Sequence, residues 1–243
     1  MNATPNPPKK RKTGAPRPSP TLSRAAIVAA SIAVADTRGL TGLSMRKVGE
    51  ELGVEAMSLY NHVTHKEDLL DGMIDVIFAE IDLPSPSDNW QAAMRTRALS
   101  TLEALERHPW AAPLMESRAT PGAATLTHHN TVLGILRTNG FSVRLAAHAF
   151  SALDSYIYGF ALQNVNLPFD ALSDIQQATE MIVNRMPADT YPHLAELAST
   201  VVMQPGYSYR DEFAWGLDLL IEALEHTRRA TDDPTPEPPA AAP

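Results

Sequence analysis

Nine prolines spread through the interior (Pro84, Pro86, Pro109, Pro113, Pro121, Pro168, Pro187, Pro192 and Pro205) decide most of what this chain can fold into. Each removes an amide donor and clashes with the preceding helical turn, so each marks a helix boundary. Between them apolar residues recur at helical spacing, and no stretch shows sustained period-two alternation of β-branched residues. The chain is therefore expected to be all-α, without an internal repeat. The other eleven prolines crowd the ends, six in the first 20 residues and five in the last 14. Little apolar surface is available there to offset the entropy of ordering, so 1–20 and 230–243 are expected to be disordered tails.

Helix ends follow from the same kind of reading. Ser23 can cap a helix running to about residue 38, with Ile27, Ala30 and Val34 on one face and Gly39 closing it. Ser44 opens a short helix over 45–52 that Gly53 ends, and a second short helix covers about 56–63. Thr64 is expected to cap a helix over about 66–81, with Glu67 and Asp68 near its positive end. Pro84-Ser85-Pro86-Ser87 reads as a linker. Beyond it helices are expected at 90–107, 121–138, 143–166, 172–184, 194–202 and 210–228. The 143–166 helix is apolar on several faces and is expected to be buried on both sides. The chain thus divides into a small domain, 21–83, built on its first three helices, and a larger helical domain, 84–229.

The net charge of −8 points away from nucleic acid until it is divided along the chain. Residues 1–66 hold ten basic and four acidic groups, a surplus of six positive charges. The rest holds ten basic and 24 acidic groups, a deficit of 14. Such asymmetry suggests a nucleic-acid-facing part and a separate acidic body. The absence of cysteine excludes a disulfide scaffold, a thiolate metal site and a cysteine nucleophile, and fits a reducing cytoplasm. No run of about 18 apolar residues is present, so no membrane span is expected. The basic N-terminus lacks the apolar stretch of a secretory signal.

Within the positive part, 43–63 reads as a helix-turn-helix. Its two short helices meet at Gly53, which can take the left-handed conformation of a tight turn. Val48, Leu52, Val54, Leu59 and Val63 point inward. Ala56, Met57, Ser58, Tyr60, Asn61 and His62 project from the second helix, where small or hydrogen-bonding side chains reach base edges. Tyr60 and Lys66 are placed for phosphates, and Arg46 for a phosphate or a guanine edge. An ordinary helical hairpin is the alternative that so short a pattern leaves open.

The segment Leu43 to Lys66, followed by Glu67-Asp68-Leu69-Leu70-Asp71, resembles the DNA-binding domain of the tetracycline-repressor (TetR) family. Leu59-Tyr60-x-His62-Val63-x-x-Lys66 carries most of the likeness, which extends back through Ile27. Trp90-Gln91, Asn139-Gly140-Phe141-Ser142 with the helix after it, and the run from Phe213 to Glu225 resemble the family's C-terminal domain. The resemblance implies a homodimer through helices near 143–166 and 210–228. It also implies a double-stranded DNA operator, most commonly repressed, and a small-molecule effector held in the helical body.

For the effector site, the resemblance places Arg97 and Thr101 at pocket positions, with Trp110, Met115, His129, Tyr156, Phe160 and Gln163 as further candidates. Each of these has core packing as its alternative, or solvent exposure for His129. Tetracycline-binding members hold the drug's magnesium through a histidine and, by way of water, a glutamate. The matching stretch 114–116 has no histidine, and Gln163 stands at the glutamate's position. A neutral amide is a poor partner for a hydrated divalent cation, so no metal cofactor is expected and the effector's identity stays open. His128 and His129 are adjacent and are not expected to share a helix face or a metal. His62 and His65 read as DNA-side residues. No Gly-rich phosphate loop or G-x-S-x-G elbow is present.

The expected function is a ligand-responsive transcriptional regulator whose effector shifts the 66–81 helix and misaligns two DNA-reading heads. A basic arm, Lys9 to Lys12, would add salt-dependent affinity. Two other readings remain: a DNA-binding regulator gated by a protein partner, and an all-α enzyme using acids such as Glu103 or Glu116.

Overall fold

The computed structural model describes residues 22–85, 89–115, 117–166, 180 and 189–232. Its order is α1 (Arg24–Gly42), α2 (Met45–Leu52), α3 (Ala56–Leu59), α4 (Lys66–Glu80), α5 (Trp90–Arg107), a 3-10 turn (Ala112–Leu114), α6 (Ala123–Thr138), α7 (Val143–Asn166), α8 (Pro192–Leu197) with a π-turn (Ala198–Val202), and α9 (Tyr209–Asp232). There is no strand among the described residues, and the protein is all-α.

Side-chain caps set several helix starts. Ser23 Oγ accepts from the Ala26 amide at 3.2 Å and Ser44 Oγ from the Lys47 amide at 3.3 Å. Asn89 Oδ1 accepts from the Gln91 and Ala92 amides at the start of α5. Gly39, at φ +66°, interrupts α1 where expected, yet one more turn follows it to Gly42.

Other boundaries differ from expectation for local reasons. The α3 helix ends at Leu59 rather than 63, because the Tyr60, Asn61 and His62 amides bond three residues back and tighten the chain into turns. His65, not Thr64, caps α4: its Nδ1 accepts from the Asp68 amide at 3.1 Å. Asp68 Oδ2 reaches back to the Thr64 amide at 2.8 Å, so the cap is reciprocal but shifted by one residue. The α6 helix begins at Ala123, two residues after Pro121, with Gly122 extended before it. Pro192 opens α8, where its fixed φ suits a first turn, and the expected 194–202 helix changes to a π-turn after Leu197. Pairing of Glu225 with Arg228 and Arg229 carries α9 on to Asp232, so 230–232 are helical rather than tail. The α7 helix buries one side only; Arg144, His148, Ser151 and Ser155 line its exposed side. Residues 1–21, including Lys9 to Lys12, lie outside the described residues, as do 86–88 of the linker, Glu116, all of the expected 172–184 helix but residue 180, and 233–243.

One continuous apolar core runs through the molecule. In the small domain α1, α2 and α3 pack Ile27, Val34, Leu43, Val48, Leu59 and Val63 together. In the larger domain α5, α6, α7 and α9 enclose Met94, Leu102, Ile135, Leu153, Ile157 and Phe213. Helix α4 contributes to both, packing against α1 and against α6.

Asp68 ties α4 to α1 through Arg24 (2.6 Å), and the Thr64 amide together with Arg24 holds its carboxyl below the ordinary 3.8. Asp68→Ala should lower stability by about 1–2 kcal/mol in urea unfolding. A depressed carboxylate stabilises the fold above its unfolded value, so the wild-type advantage should persist above about pH 4 and fade below it. An equal gap at pH 3 and pH 7 would contradict this role.

Candidate functional site

The α2–α3 corner is fixed by two glycines. Gly53 takes φ +68° and ψ 30°, and the Val54 amide bonds Gly49 O at 2.9 Å, the return that closes a helix over a left-handed residue. Gly49, which sequence reasoning passed over, sits where the two helices cross. A Cβ there would lie 2.8 Å from Val54 O and 3.2 Å from the Ala56 nitrogen. Beneath the corner Val48, Leu59 and Val63 are buried. Above it Met57, Tyr60, Asn61, His62 and Lys66 are exposed, while Ala56 and Ser58 are half-buried on the same short helix.

Arg46 is exposed and held by Glu50 at 3.0 Å, and Lys47 reaches the same carboxylate at 2.7 Å. The Lys47 and then the Arg46 hydrogen bond hold the Glu50 carboxyl below its ordinary value. Exposed pairs of this kind are weak and screened by salt, so a phosphate can replace Glu50 as the partner of Arg46.

In the larger domain the eight effector candidates fall into separate places. Arg97 and Thr101 are buried on α5, and Thr101 Oγ1 bonds back to Arg97 O at 2.8 Å. Met115 and His129 line a cavity of about 120 Å³ between α4, the 115–121 segment and α6. Trp110 lies elsewhere, at the junction of the domains, where its Nε1 donates to Asp36 Oδ1 of α1 at 2.6 Å. His108 meets the same carboxylate at 2.7 Å and Glu80 at 3.3 Å. Tyr156, Phe160 and Gln163 belong to the α7–α9 seam. Tyr156 stacks on Phe213, Phe160 stacks on Tyr209, and the Tyr209 hydroxyl donates to Gln163 Oε1 at 3.0 Å.

Around Arg97 the structure assembles a polar core that the sequence reading did not foresee. Arg97 Nη2 pairs with Asp154 Oδ1 on α7, and Arg97 Nε donates to His128 Nε2 on α6 at 2.9 Å. The guanidinium also lies over Phe150, 5.6 Å from the ring centre. His128 and His129, although adjacent, both meet Phe78, with ring centres 5.3 and 5.2 Å away, so neighbours in sequence do share one cluster. Asp154 is the one acid of the apolar helix α7, and Arg97 is one of three arginines on α5. Burial pushes the Asp154 carboxyl up against the pull of Arg97. Burial, reinforced by Arg97, lowers His128 to about 3, and burial lowers His129 as well.

Helix α4 carries the cavity's other wall and is tied on both sides of it. Asp75 Oδ1 accepts from the Thr125 amide at 2.8 Å and its hydroxyl at 2.9 Å, capping α6 from another helix. Gly122 leaves room for that carboxylate, which a Cβ would strike. Arg118 pairs with Glu67 at 2.8 Å and Asp71 at 3.5 Å. Glu103, a candidate acid, is instead paired with Arg210 at the surface. Among the described residues no group of three His, Asp or Glu side chains could hold a metal, and no helix is long and apolar enough to cross a membrane.

Comparison with known proteins matches both halves. The family model for bacterial regulatory proteins of the tetR family covers residues 27–73, and that for the tetracyclin repressor-like C-terminal domain covers 83–228. The HTH-type transcriptional repressor DrrR1 of Streptomyces coeruleorubidus is 31% identical over 225 residues, 89% of this chain and 81% of its own. The class D tetracycline repressor protein of Escherichia coli is 28% identical, covering 84% of this chain and 89% of that one. Streptomyces coelicolor ActR, solved in complex with actinorhodin, shares the fold at a TM-score of 0.72 and 24% identity, over 86% of this chain and 97% of that one.

The neutral His128 has a pH signature. Between its ordinary 6.5 and about 3 the unfolded chain binds a proton that the folded core refuses. Its stabilising effect is thus complete above about pH 6.5 and falls by at most about 1.4 kcal/mol per unit below it. His128→Gln, which keeps an acceptor for Arg97, should flatten the pH dependence of urea unfolding between 6.5 and 4. An unchanged slope would show that His128 does not carry it.

Proposed function

The chain belongs to the tetracycline-repressor family of transcriptional regulators, which are not enzymes, and on that premise we propose that it is a homodimeric repressor released from a palindromic operator by a small molecule. The observation that carries the DNA-binding part is the exposed row Met57, Tyr60, Asn61 and His62, presented by a corner that Gly49 and Gly53 fix. In this reading residues 21–83 form the DNA-binding head, with Arg46, Ala56, Met57, Ser58, Tyr60, Asn61, His62 and Lys66 at the groove. Residues 84–229 form the effector-binding and dimerising body. Two heads enter successive major grooves about 34 Å apart.

The exposed sides of α7 and α9 are the dimer surface of this reading. Trp215 on α9 is 66% exposed and Leu219, one turn on, 47%; on α7 Arg144, His148, Ser151 and Ser155 are exposed. Large apolar side chains exposed together on long helices mark contact surfaces. The buried polar core and the cavity beside α4 support an effector in the body, and the like-folded ActR forms a complex with actinorhodin. Repression is supported by the relatives named as repressors.

Tyr60→Ala and Lys66→Ala should each weaken binding to a palindromic fragment upstream of the gene by roughly ten-fold in gel-shift titration, as loss of a phosphate contact would. Light scattering should show the dimer unchanged. Variants that bind as well as wild type would displace the groove-facing role from this helix.

A further inference from the structure

Resting on the DNA-binding reading above, we propose that Glu50 is a specificity-determining residue that acts through Arg46 and Lys47. It withholds both cations from the phosphates of random sequence, and so sets how far the operator is preferred over other DNA. Each oxygen of its carboxylate is used: Oε1 accepts from Arg46 Nε at 3.0 Å and Oε2 from Lys47 Nζ at 2.7 Å. All three side chains reach solvent. The clamp stands one residue from the reading corner, because Gly49 lies where a Cβ would come 3.2 Å from the Ala56 nitrogen that opens α3.

The local charge gives this clamp its weight. Residues 43–66 hold three lysines and arginines, Arg46, Lys47 and Lys66, against three acids, Glu50, Glu51 and Glu55. Two of the three cations therefore share one carboxylate, and only Lys66 is left to meet a backbone without an anion beside it. The hydrogen bonds from Lys47 and then from Arg46 hold the Glu50 carboxyl below its ordinary value, which keeps it ionised at neutral pH.

A phosphate and a base edge feel this carboxylate differently. A phosphate that approaches Arg46 meets Glu50 as a like charge, and must either displace it or go without the cation. A base edge is neutral and brings no such repulsion. Glu50 takes only Nε of Arg46, which leaves the two terminal Nη groups to make a fork toward a pair of acceptors. Binding to random sequence comes almost wholly from neutralised phosphates, whereas binding to the operator also draws on the row from Met57 to His62. The carboxylate thus weakens the random complex more than the operator complex.

The test titrates the full-length protein against the palindromic upstream fragment and a scrambled fragment of equal length, by fluorescence anisotropy over a series of salt concentrations. Circular dichroism checks that each variant is folded. Glu50→Gln should tighten the scrambled complex by roughly ten-fold and the operator complex by no more than about two-fold, so the preference for the operator falls by about five-fold. The salt dependence of the scrambled complex should steepen by about one released counterion per head. Glu51→Gln removes the same charge from an exposed acid of the same helix that pairs with neither cation, and should leave the preference within about two-fold of wild type. In an Arg46→Met/Lys47→Met background, Glu50→Gln should no longer lower the preference. A preference that Glu50→Gln leaves unchanged, that Glu51→Gln lowers as much, or that still falls without the two cations would each overturn the proposal. The comparison of Glu50 with Glu51 decides the matter even where the background variant binds too weakly to titrate. Wild type that binds neither fragment at low salt would overturn the DNA-binding reading and this proposal with it, and the wild-type titration alone separates that failure from the others.

Discussion

Helix α4 packs against both α1 and α6 within one continuous core, and the rest of the structure depends on that constraint. Its Leu69, Leu70, Met73, Ile77 and Phe78 are all buried in that core. Polar contacts also tie it to four neighbours: ion pairs to α1 through Asp68 and Arg24, to Arg118 through Glu67 and Asp71, and to α5 through Glu80 and Arg107, and hydrogen bonds to α6 through Asp75. A close-packed helix shared in this way shifts as a body or not at all.

The Arg97–Asp154 pair gains meaning from this arrangement. Taking two charges out of water costs several kcal/mol per ion, and well-packed apolar residues commonly do as well for stability. The pair lies among aromatic side chains that extend to Phe78 on α4, with unmet hydrogen-bonding capacity on both partners. Such a core is a costly way to hold the fold. The head is organised on the opposite principle: its apolar residues are satisfied beneath the surface, and its polar ones wait in solvent.

Much of this was legible in the sequence where local chemistry decides. Ser23, Ser44 and Gly53 mark helix ends that the structure keeps, because caps act on their own neighbours. The α4 cap falls one residue later than Thr64 because His65 Nδ1 takes the Asp68 amide, while the Asp68 carboxylate meets both the Thr64 amide and Arg24. The polar core was legible only in part. Arg97, Thr101 and His129 were picked out, but Trp110, Tyr156, Phe160 and Gln163 face other seams. Which side of a helix turns toward which neighbour is settled by contacts such as Trp110–Asp36 and Thr125–Asp75, between residues 74 and 50 positions apart. No local periodicity carries that information.

Transmission through α4 is open to direct measurement because the chain has no cysteine of its own. A single cysteine at Asn61, spin-labelled, reports the distance between the two heads of a dimer by electron–electron resonance. In wild type the distance distribution should be narrow. In an Asp75→Ala background, where α4 loses its hold on the start of α6, it should broaden or shift by several ångströms while the dimer stays intact. An identical distribution in both would contradict the claim that the contacts of α4 with the body set the position of the heads.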